Sequence, residues 1–181
     1  YISINERQTR NYMNTLKTIR DSDFGLNHPI GTSYKERKAS RAIVFDKDKN
    51  VALLYSTKKD YYKLPGGGVE KKETIASALK RELLEEIGCS VENIRELGII
   101  EEYRNKFELH QLSYCFLADI LGDKSTPHFE EDEIAEGFEP VWMSIEEAIK
   151  TLESEINVED YEGKFIHLRD LTFLKEAIRN I

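Results

Sequence analysis

One stretch constrains the fold of this chain more than any other. The segment LPGGGVEKKETIASALKRELLEEIGCS, residues 64–90, begins with three consecutive glycines and continues into apolar residues at helical spacing. Thr74 precedes the periodic apolar positions and Gly88 follows them, so the sequence predicts a helix over residues 74–87. The chain must therefore fold around a glycine loop that leads directly into a helix.

This helix places three carboxylates beside its own buried face. At about 100° per residue, Glu86 lies about 40° to one side of Glu82, and Glu85 lies about 60° to the other side. Four apolar residues fill the neighbouring arc: Ile75, Leu79, Leu83 and Ile87. Like charges at this spacing repel each other, and carboxylates near the C-terminus of a helix also oppose the helix dipole.

Two interpretations account for these carboxylates. A bound divalent cation would remove both penalties, and Mg²⁺ and Mn²⁺ prefer carboxylate oxygens. The alternative is a solvated acidic face balanced by Lys80 and Arg81. The neighbouring glycines favour the cation, because Gly66, Gly67 and Gly68 let a ligand approach the backbone closely.

The spacing of these residues resembles the Nudix box, the signature of the Nudix hydrolase family. Gly67 is followed after five residues by Glu73, and seven residues later by RELLEEIGC, which runs from Arg81 to Cys89. Every fixed position of the pattern is filled, although Cys89 stands where a larger aliphatic residue is usual. The resemblance extends over about residues 41–152. It implies an α+β fold, an α/β/α sandwich with a mixed β-sheet, in which the box forms a loop-helix-loop motif.

The resemblance also implies an activity and a set of site residues. Nudix hydrolases cleave the pyrophosphate bond of a nucleoside diphosphate linked to another group X. By position, the metal ligands would be Gly67, through its carbonyl oxygen, with Glu82, Glu85 and Glu86. Arg81 would orient Glu85 through a charge-assisted hydrogen bond, and Glu73 would support the loop.

Other candidate site residues lie outside the box or have more than one candidate role. A general base must take a proton from the attacking water. The candidates are Glu82 and the glutamates of the acidic segment 127–140, namely Glu130, Glu131 and Glu133. Arg41 and Lys63 are candidate phosphate-binding residues beside the glycine loop, although a surface role fits each of them equally well.

The substrate stays open at this point. The family's sub-pattern for ADP-ribose hydrolases expects a proline near Arg104, and the sub-pattern for dinucleoside polyphosphate hydrolases expects a tyrosine near Phe107. Neither expectation is met, which leaves nucleoside triphosphates, including oxidised ones such as 8-oxo-dGTP, slightly ahead of ADP-ribose and nucleotide sugars. A non-catalytic module that senses nucleotides is a third interpretation, and the complete set of box glutamates argues against it.

The rest of the chain supplies a sheet, further helices and an N-terminal extension. We predict strands over residues 41–46, 51–56, 94–103, 107–121 and 141–143, and helices from Ser144 to about Leu152 and over residues 164–180. Residues 1–40 are predicted to form an amphipathic helix, over 5–20, and a connector packed on a Nudix domain of residues 41–181. That helix is expected to cover its own core or to form a homodimer interface.

Charge and cysteine content exclude several classes of function. The 26 basic and 34 acidic residues give a net charge of −8, which argues against a surface for nucleic acid or anionic membranes. The sequence has no apolar run of 18 residues, and Cys89 and Cys115 have no CxxC spacing. We therefore expect a soluble, cytoplasmic protein with buried thiols that acts on a small-molecule nucleotide.

Overall fold

The computed structural model describes residues 13–155 and 158–181, which form one mixed β-sheet between helices. The eight strands among these residues are β1 (Thr15–Arg20), β2 (Lys35–Phe45), β3 (Val51–Ser56), β4 (Tyr61–Lys63), β5 (Gly66–Gly68), β6 (Ser90–Arg104), β7 (Leu109–Leu121) and β8 (Phe138–Met143). The helices are α1 (Ile75–Ile87), α2 (Glu131–Glu136), α3 (Ile145–Ser154) and α4 (Tyr161–Ala177).

The long strands form the centre of the sheet, in the order β1-β6-β7-β2-β3-β4. Strand β2 runs parallel to β7, and β1 runs parallel to β6, whereas β6 and β7 are antiparallel. The short strand β5 pairs with β2, and β8 pairs with β3. The sheet is therefore mixed, as the sequence predicts, and the predicted antiparallel pairing of β2 with β3 is also present.

Each face of the sheet carries its own apolar core. On one face, the apolar arc of α1 packs against β2 and β7, with Leu79 and Leu83 fully buried against Ala42 and Val44. On the other face, α3 and α4 cover residues that alternate with the first set, among them Ile43. Neighbouring residues of a strand point to opposite faces, so both faces of β2 are buried. This arrangement confirms the predicted α/β/α sandwich.

Helix α1 has the boundaries that its sequence predicts. The Thr74 side chain accepts a hydrogen bond from the Ser77 N–H, which satisfies one donor at the first turn. Gly88 follows the last helical residue. The helix is therefore fixed at both ends by local sequence, and its packing decides which face is buried.

The predicted N-terminal helix is wrong over the part that the structure describes. Residues 1–12 lie outside the described residues, and Thr15–Arg20 form strand β1 instead. This segment pairs along the edge of β6, and Ile19 enters the core beneath α4. Satisfying the backbone groups of an otherwise open sheet edge outweighs the three-to-four spacing of its apolar residues. The division of the chain at residue 40 remains a prediction.

Several further elements differ from prediction, and three of them bear on the site. Strand β2 begins at Lys35, six residues earlier than expected, because its first half pairs with β7. The segment 127–140 is not all loop, because it contains α2 and the start of β8. Helix α2 is too short for a helical period to be visible in the sequence. The glycines Gly66–Gly68 form a strand instead of a loop.

Two smaller points complete the fold. Cys89 and Cys115 are both buried and free, as predicted. Among residues 13–155 and 158–181, none of the helices combines the length and the apolar character needed to cross a bilayer.

Candidate active site

A pocket of about 260 Å³ opens where the glycine strand, α1, α2 and the first turns of α4 meet. Its polar lining combines cations and carboxylates. The cations are Arg37, Arg41, Lys59 and Lys63. The carboxylates are Glu82, Glu86, Glu130, Glu133, Glu136 and Glu162. Both charges thus face one small space, as recognition of a metal-bound anion requires.

The glycine strand reaches this pocket because it lacks side chains. Gly66 has φ +126°, and a Cβ atom there would lie 2.2 Å from the Ser40 carbonyl oxygen of β2. A Cβ atom on Gly67 would lie 2.5 Å from Oε1 of Glu82. These two glycines therefore permit the close approach of backbone to β2 and of Glu82 to the strand.

Three carboxylates converge at the floor of the pocket. One oxygen each of Glu82, Glu86 and Glu133 lies within 4.8 Å of the others. Glu82 is 8% exposed and Glu86 is 1% exposed, so water screens their repulsion poorly. Oxygen atoms at this spacing fit a divalent cation, which would neutralise the cluster. Glu82 and Glu86 come from the predicted arc of α1, and Glu133 comes from α2.

Glu86 is held from two sides. Its Oε2 atom accepts a hydrogen bond from the Gly66 N–H at 2.5 Å, and its Oε1 atom lies 3.1 Å from the Lys63 ammonium. Both partners are donors, so they fix the position of both carboxylate oxygens. Lys63 was predicted from the sequence as a candidate phosphate-binding residue. In the structure it lines the pocket, and its ammonium group is paired with Glu86.

The other two carboxyls of the cluster have perturbed acidity. Burial raises the pKa of Glu82, although Arg81 opposes this effect. Burial, together with the nearby charge of Glu86, raises the pKa of Glu133 to about 7. Without a cation, Glu133 therefore holds its proton more firmly than an ordinary glutamate does.

Arg81 connects the glycine strand to the helix. Its guanidinium contacts both carboxylate oxygens of Glu73, at 2.9 and 3.0 Å, and donates to the Gly68 carbonyl oxygen at 3.1 Å. It also lies 2.9 Å from Glu82 and 3.0 Å from Glu85. Hydrogen bonding by Glu73 is the main reason that the pKa of Arg81 is raised. The contact expected between Arg81 and Glu85 is present, and the structure adds a contact between Arg81 and Glu73 that was not predicted.

Not every predicted site residue reaches the carboxylate cluster. Glu85 directs its carboxylate at Arg81 and is not among the residues that line the pocket. Glu131 is exposed at the start of α2 and also lies outside the lining, whereas Glu130 and Glu133 are part of it. The metal-ligand role of Glu85 thus depends on a rearrangement of its side chain, and Glu131 is poorly placed for catalysis.

Two arginines line the same pocket as the cluster. Arg41 is buried and donates to the Gly66 carbonyl oxygen at 2.6 Å, and burial lowers its pKa to about 10. Arg37 donates to Gln111 at 2.5 Å and lies against Gly68. Sequence reasoning missed Arg37, although a strand places residues four apart on one face. The predicted strand began at Arg41, so Arg37 fell outside it, and the observed earlier start at Lys35 is what places both on one face.

Aromatic side chains near the pocket are largely occupied by other groups. Tyr61 lines the pocket but is only 3% exposed. The ring of Phe138 carries the Lys63 ammonium at 4.1 Å from its centroid. The ring of Tyr62 packs on that of Tyr55, and the ring of Phe107 packs on that of Tyr161. Charged groups therefore dominate the accessible surface of this pocket.

Comparison with known proteins agrees with this geometry. A model of the NUDIX domain matches residues 35–164. The human protein diphosphoinositol polyphosphate phosphohydrolase 3-beta is 28% identical over 121 residues, which make up 66% of this chain and 70% of that protein.

Solved structures show the same fold. The crystal structure of the MutT protein from Bacillus halodurans is 25% identical, with a TM-score of 0.51 over 64% of this chain and 72% of that chain. A Nudix hydrolase from Nitrosomonas europaea is 19% identical, with a TM-score of 0.60 over 81% of this chain and 90% of that chain. Nudix hydrolases generally use a divalent metal, for which the carboxylate cluster is suited. The chain therefore belongs to the Nudix family and is a pyrophosphohydrolase.

Proposed function

We propose that this protein is a Mg²⁺-dependent hydrolase that cleaves the pyrophosphate bond of a nucleoside diphosphate linked to a group X. The observation that carries the proposal is the convergence of Glu82, Glu86 and Glu133 in a pocket that Arg37 and Arg41 also line. Carboxylates at the floor favour a hard divalent cation, and Mg²⁺ is the hard cation that commonly accompanies phosphate substrates.

The roles of the residues follow from their positions. Mg²⁺ bound by Glu82 and Glu86 would supply the positive charge that offsets the negative oxygens of a pyrophosphate. Arg41 and Arg37 face the same space and would bind phosphate oxygens on the other side. Arg81 keeps Glu82 in place through its 2.9 Å contact.

We assign the general base to Glu133. It lies on α2, outside the box, yet its carboxylate reaches the cluster. One of its oxygens accepts a hydrogen bond from the Glu130 N–H at 2.9 Å, and its side chain is less buried than that of Glu82, so water reaches it more readily. Glu82, the alternative within the box, already contacts Arg81 and lies against Gly67. Glu133 therefore has the more accessible carboxylate oxygen.

Two substrate classes are supported by separate observations. Nucleoside triphosphates, including 8-oxo-dGTP, are supported by the likeness to MutT and by a pocket that is lined by both cations and carboxylates. Diphosphoinositol polyphosphates are the second class, because four cationic side chains line the pocket and the similar human protein is named for that substrate. We favour the nucleotide, because six carboxylates also line the pocket and would repel the many phosphate groups of a heavily phosphorylated inositol.

A substrate screen tests both parts of the proposal. Phosphate or nucleoside monophosphate release is measured on nucleoside triphosphates, 8-oxo-dGTP, ADP-ribose, nucleotide sugars, dinucleoside polyphosphates and a diphosphoinositol polyphosphate, with Mg²⁺ or with EDTA. We expect turnover of a nucleotide in Mg²⁺ and none in EDTA. Turnover of the inositol compound alone would replace the nucleotide assignment, and equal turnover in EDTA would contradict the metal requirement.

A further inference from the structure

Helix α4 carries a buried carboxylate that contacts the segment leading into the glycine strand. Asp170 is fully buried, and its Oδ2 atom accepts a hydrogen bond from the Leu64 backbone N–H at 2.8 Å. Leu64 lies between the end of β4 and the start of β5. Asp170 therefore supplies a buried acceptor that this junction between two short strands requires.

The contact matters because of what lies on either side of Leu64. Lys63 precedes it and contacts Oε1 of Glu86, while Gly66 follows two residues later and donates to Oε2 of the same carboxylate. A shift of Leu64 moves both donors relative to Glu86. The Asp170 contact thus holds in place residues 63–66, which in turn position the Glu86 carboxylate.

Asp170 is also held rigidly. The neighbouring Arg169 donates to its Oδ1 atom at 2.7 Å and to its Oδ2 atom at 3.1 Å, and Arg169 is fully buried as well. Arg169 in turn lies 3.6 Å from the buried Glu102 of β6. Removing one partner of a buried ion pair leaves an uncompensated charge, so each member of this cluster holds the others in place.

We propose that Asp170 is a positioning residue for the metal site, an inference that rests on the proposed function. It acts through the Leu64 N–H to set the two donors of Glu86, and thereby the carboxylate that would hold the cation. It does not touch the substrate or the metal. Its loss should weaken metal binding even in a protein that remains folded.

The first test replaces Asp170 and measures Mn²⁺ binding by electron paramagnetic resonance, without substrate. Asp170→Asn leaves one acceptor oxygen where the Leu64 N–H and the Arg169 guanidinium use two. Asp170→Glu keeps the charge beside Arg169 but moves the carboxylate by one methylene. We expect each variant to bind Mn²⁺ about tenfold more weakly than the wild type, the effect typical of groups that orient a metal ligand.

A matched control separates positioning from loss of stability. Asp21 is another buried aspartate: it accepts from the Tyr161 hydroxyl at 2.7 Å, at the beginning of α4, and from His28 at 2.7 Å. Asp21→Asn is expected to lower the unfolding temperature and to leave Mn²⁺ affinity unchanged. Unchanged affinity in folded Asp170→Asn and Asp170→Glu, or equal losses in the Asp21 control, would overturn the proposal.

A measurement on the wild type covers the case in which neither Asp170 variant folds. If the Leu64–Asp170 hydrogen bond supports metal binding, metal must stabilise that bond by the same factor, because coupling between sites is reciprocal. We expect Mg²⁺ to slow hydrogen exchange of the Leu64 amide, and unchanged exchange would refute the coupling. If the wild type bound neither Mn²⁺ nor Mg²⁺, the proposed metal site itself would fail, which is a distinguishable result.

Discussion

Replacing Arg81 by lysine should reduce both activity and stability, because no lysine can reproduce its contacts. The guanidinium of Arg81 makes five contacts of 2.9 to 3.1 Å with four groups, namely Glu73, Glu82, Glu85 and the Gly68 carbonyl. A lysine ammonium is a single point with three donors, whereas the guanidinium is a planar fork with five. At least two of the contacts must therefore be lost.

The size of the effect can be worked out from these contacts. A buried hydrogen bond to a charged group contributes about 1.5–3 kcal/mol, but the Arg81 side chain is 24% exposed and solvent offsets part of that. We expect a loss of about 2 kcal/mol for the two contacts together. For a chain of this size that corresponds to a fall in Tm of about 4–8 °C.

Activity should fall further than stability alone explains. Arg81 holds Glu82, so its loss should cost about 10- to 100-fold in kcat/KM. That is about 1.4–2.7 kcal/mol of transition-state stabilisation. Thermal unfolding and steady-state hydrolysis in Mg²⁺, measured well below the Tm of the variant, report the two effects separately.

The matched control for this substitution is Arg179→Lys. Arg179 pairs with Glu176 at 3.3 Å, and its side chain is 74% exposed, so the pair contributes little. We expect Arg179→Lys to leave both Tm and kcat/KM unchanged. If Arg81→Lys also retained wild-type values, the idea that Arg81 organises the box would be refuted.

Three more predictions follow from the site. Glu133→Gln should lower kcat about 10²- to 10⁴-fold, as loss of a general base does. The control Glu131→Gln, at an exposed position, should leave kcat unchanged. Equal effects of the two substitutions would show that Glu133 is not the base. The pKa of Glu133 is raised in the folded protein, from an ordinary 4.5 to about 7, so its contribution to stability is present at low pH and is lost as pH rises through 7. In EDTA, calorimetry should therefore show a higher Tm for Glu133→Gln than for the wild type at pH 8, and no such increase at pH 5. An equal increase in Tm at both pH values would contradict the raised pKa of Glu133. Gly67→Ala should weaken Mn²⁺ binding at least about tenfold, because its Cβ would displace Glu82, and unaltered binding would show that the close contact is dispensable.

Local sequence was sufficient to predict the centre of the site. Helix α1 is long enough for its apolar period to be clear, and Thr74 and Gly88 mark its ends. Two of its three clustered glutamates, Glu82 and Glu86, do meet in the pocket, because their direction follows from helical geometry alone. The third, Glu85, lies on the far side of the arc, where Arg81 binds it.

The remainder depends on contacts between segments that are distant in the chain. Glu133 reaches the cluster only because the short helix α2 packs over the pocket, and six residues show too little periodicity to predict that helix. Strand β1 forms because β6 offers it an edge, which overrides its local pattern. The link from Asp170 to Leu64 joins residues that are 106 positions apart in the chain, and nothing in either local sequence indicates it.

The most direct test of the account is hydrolysis by the wild type and by Glu86→Gln, in Mg²⁺ and in EDTA. Glu86 is nearly inaccessible and belongs to the carboxylate cluster, so a glutamine there keeps its volume but removes the charge that would hold a cation. The exposed Glu92→Gln, on β6, serves as the control. The account predicts nucleotide hydrolysis in Mg²⁺ by the wild type and Glu92→Gln, at least about 100-fold less by Glu86→Gln, and none in EDTA. Nucleotide binding without turnover by the wild type, or full activity of Glu86→Gln, would contradict it.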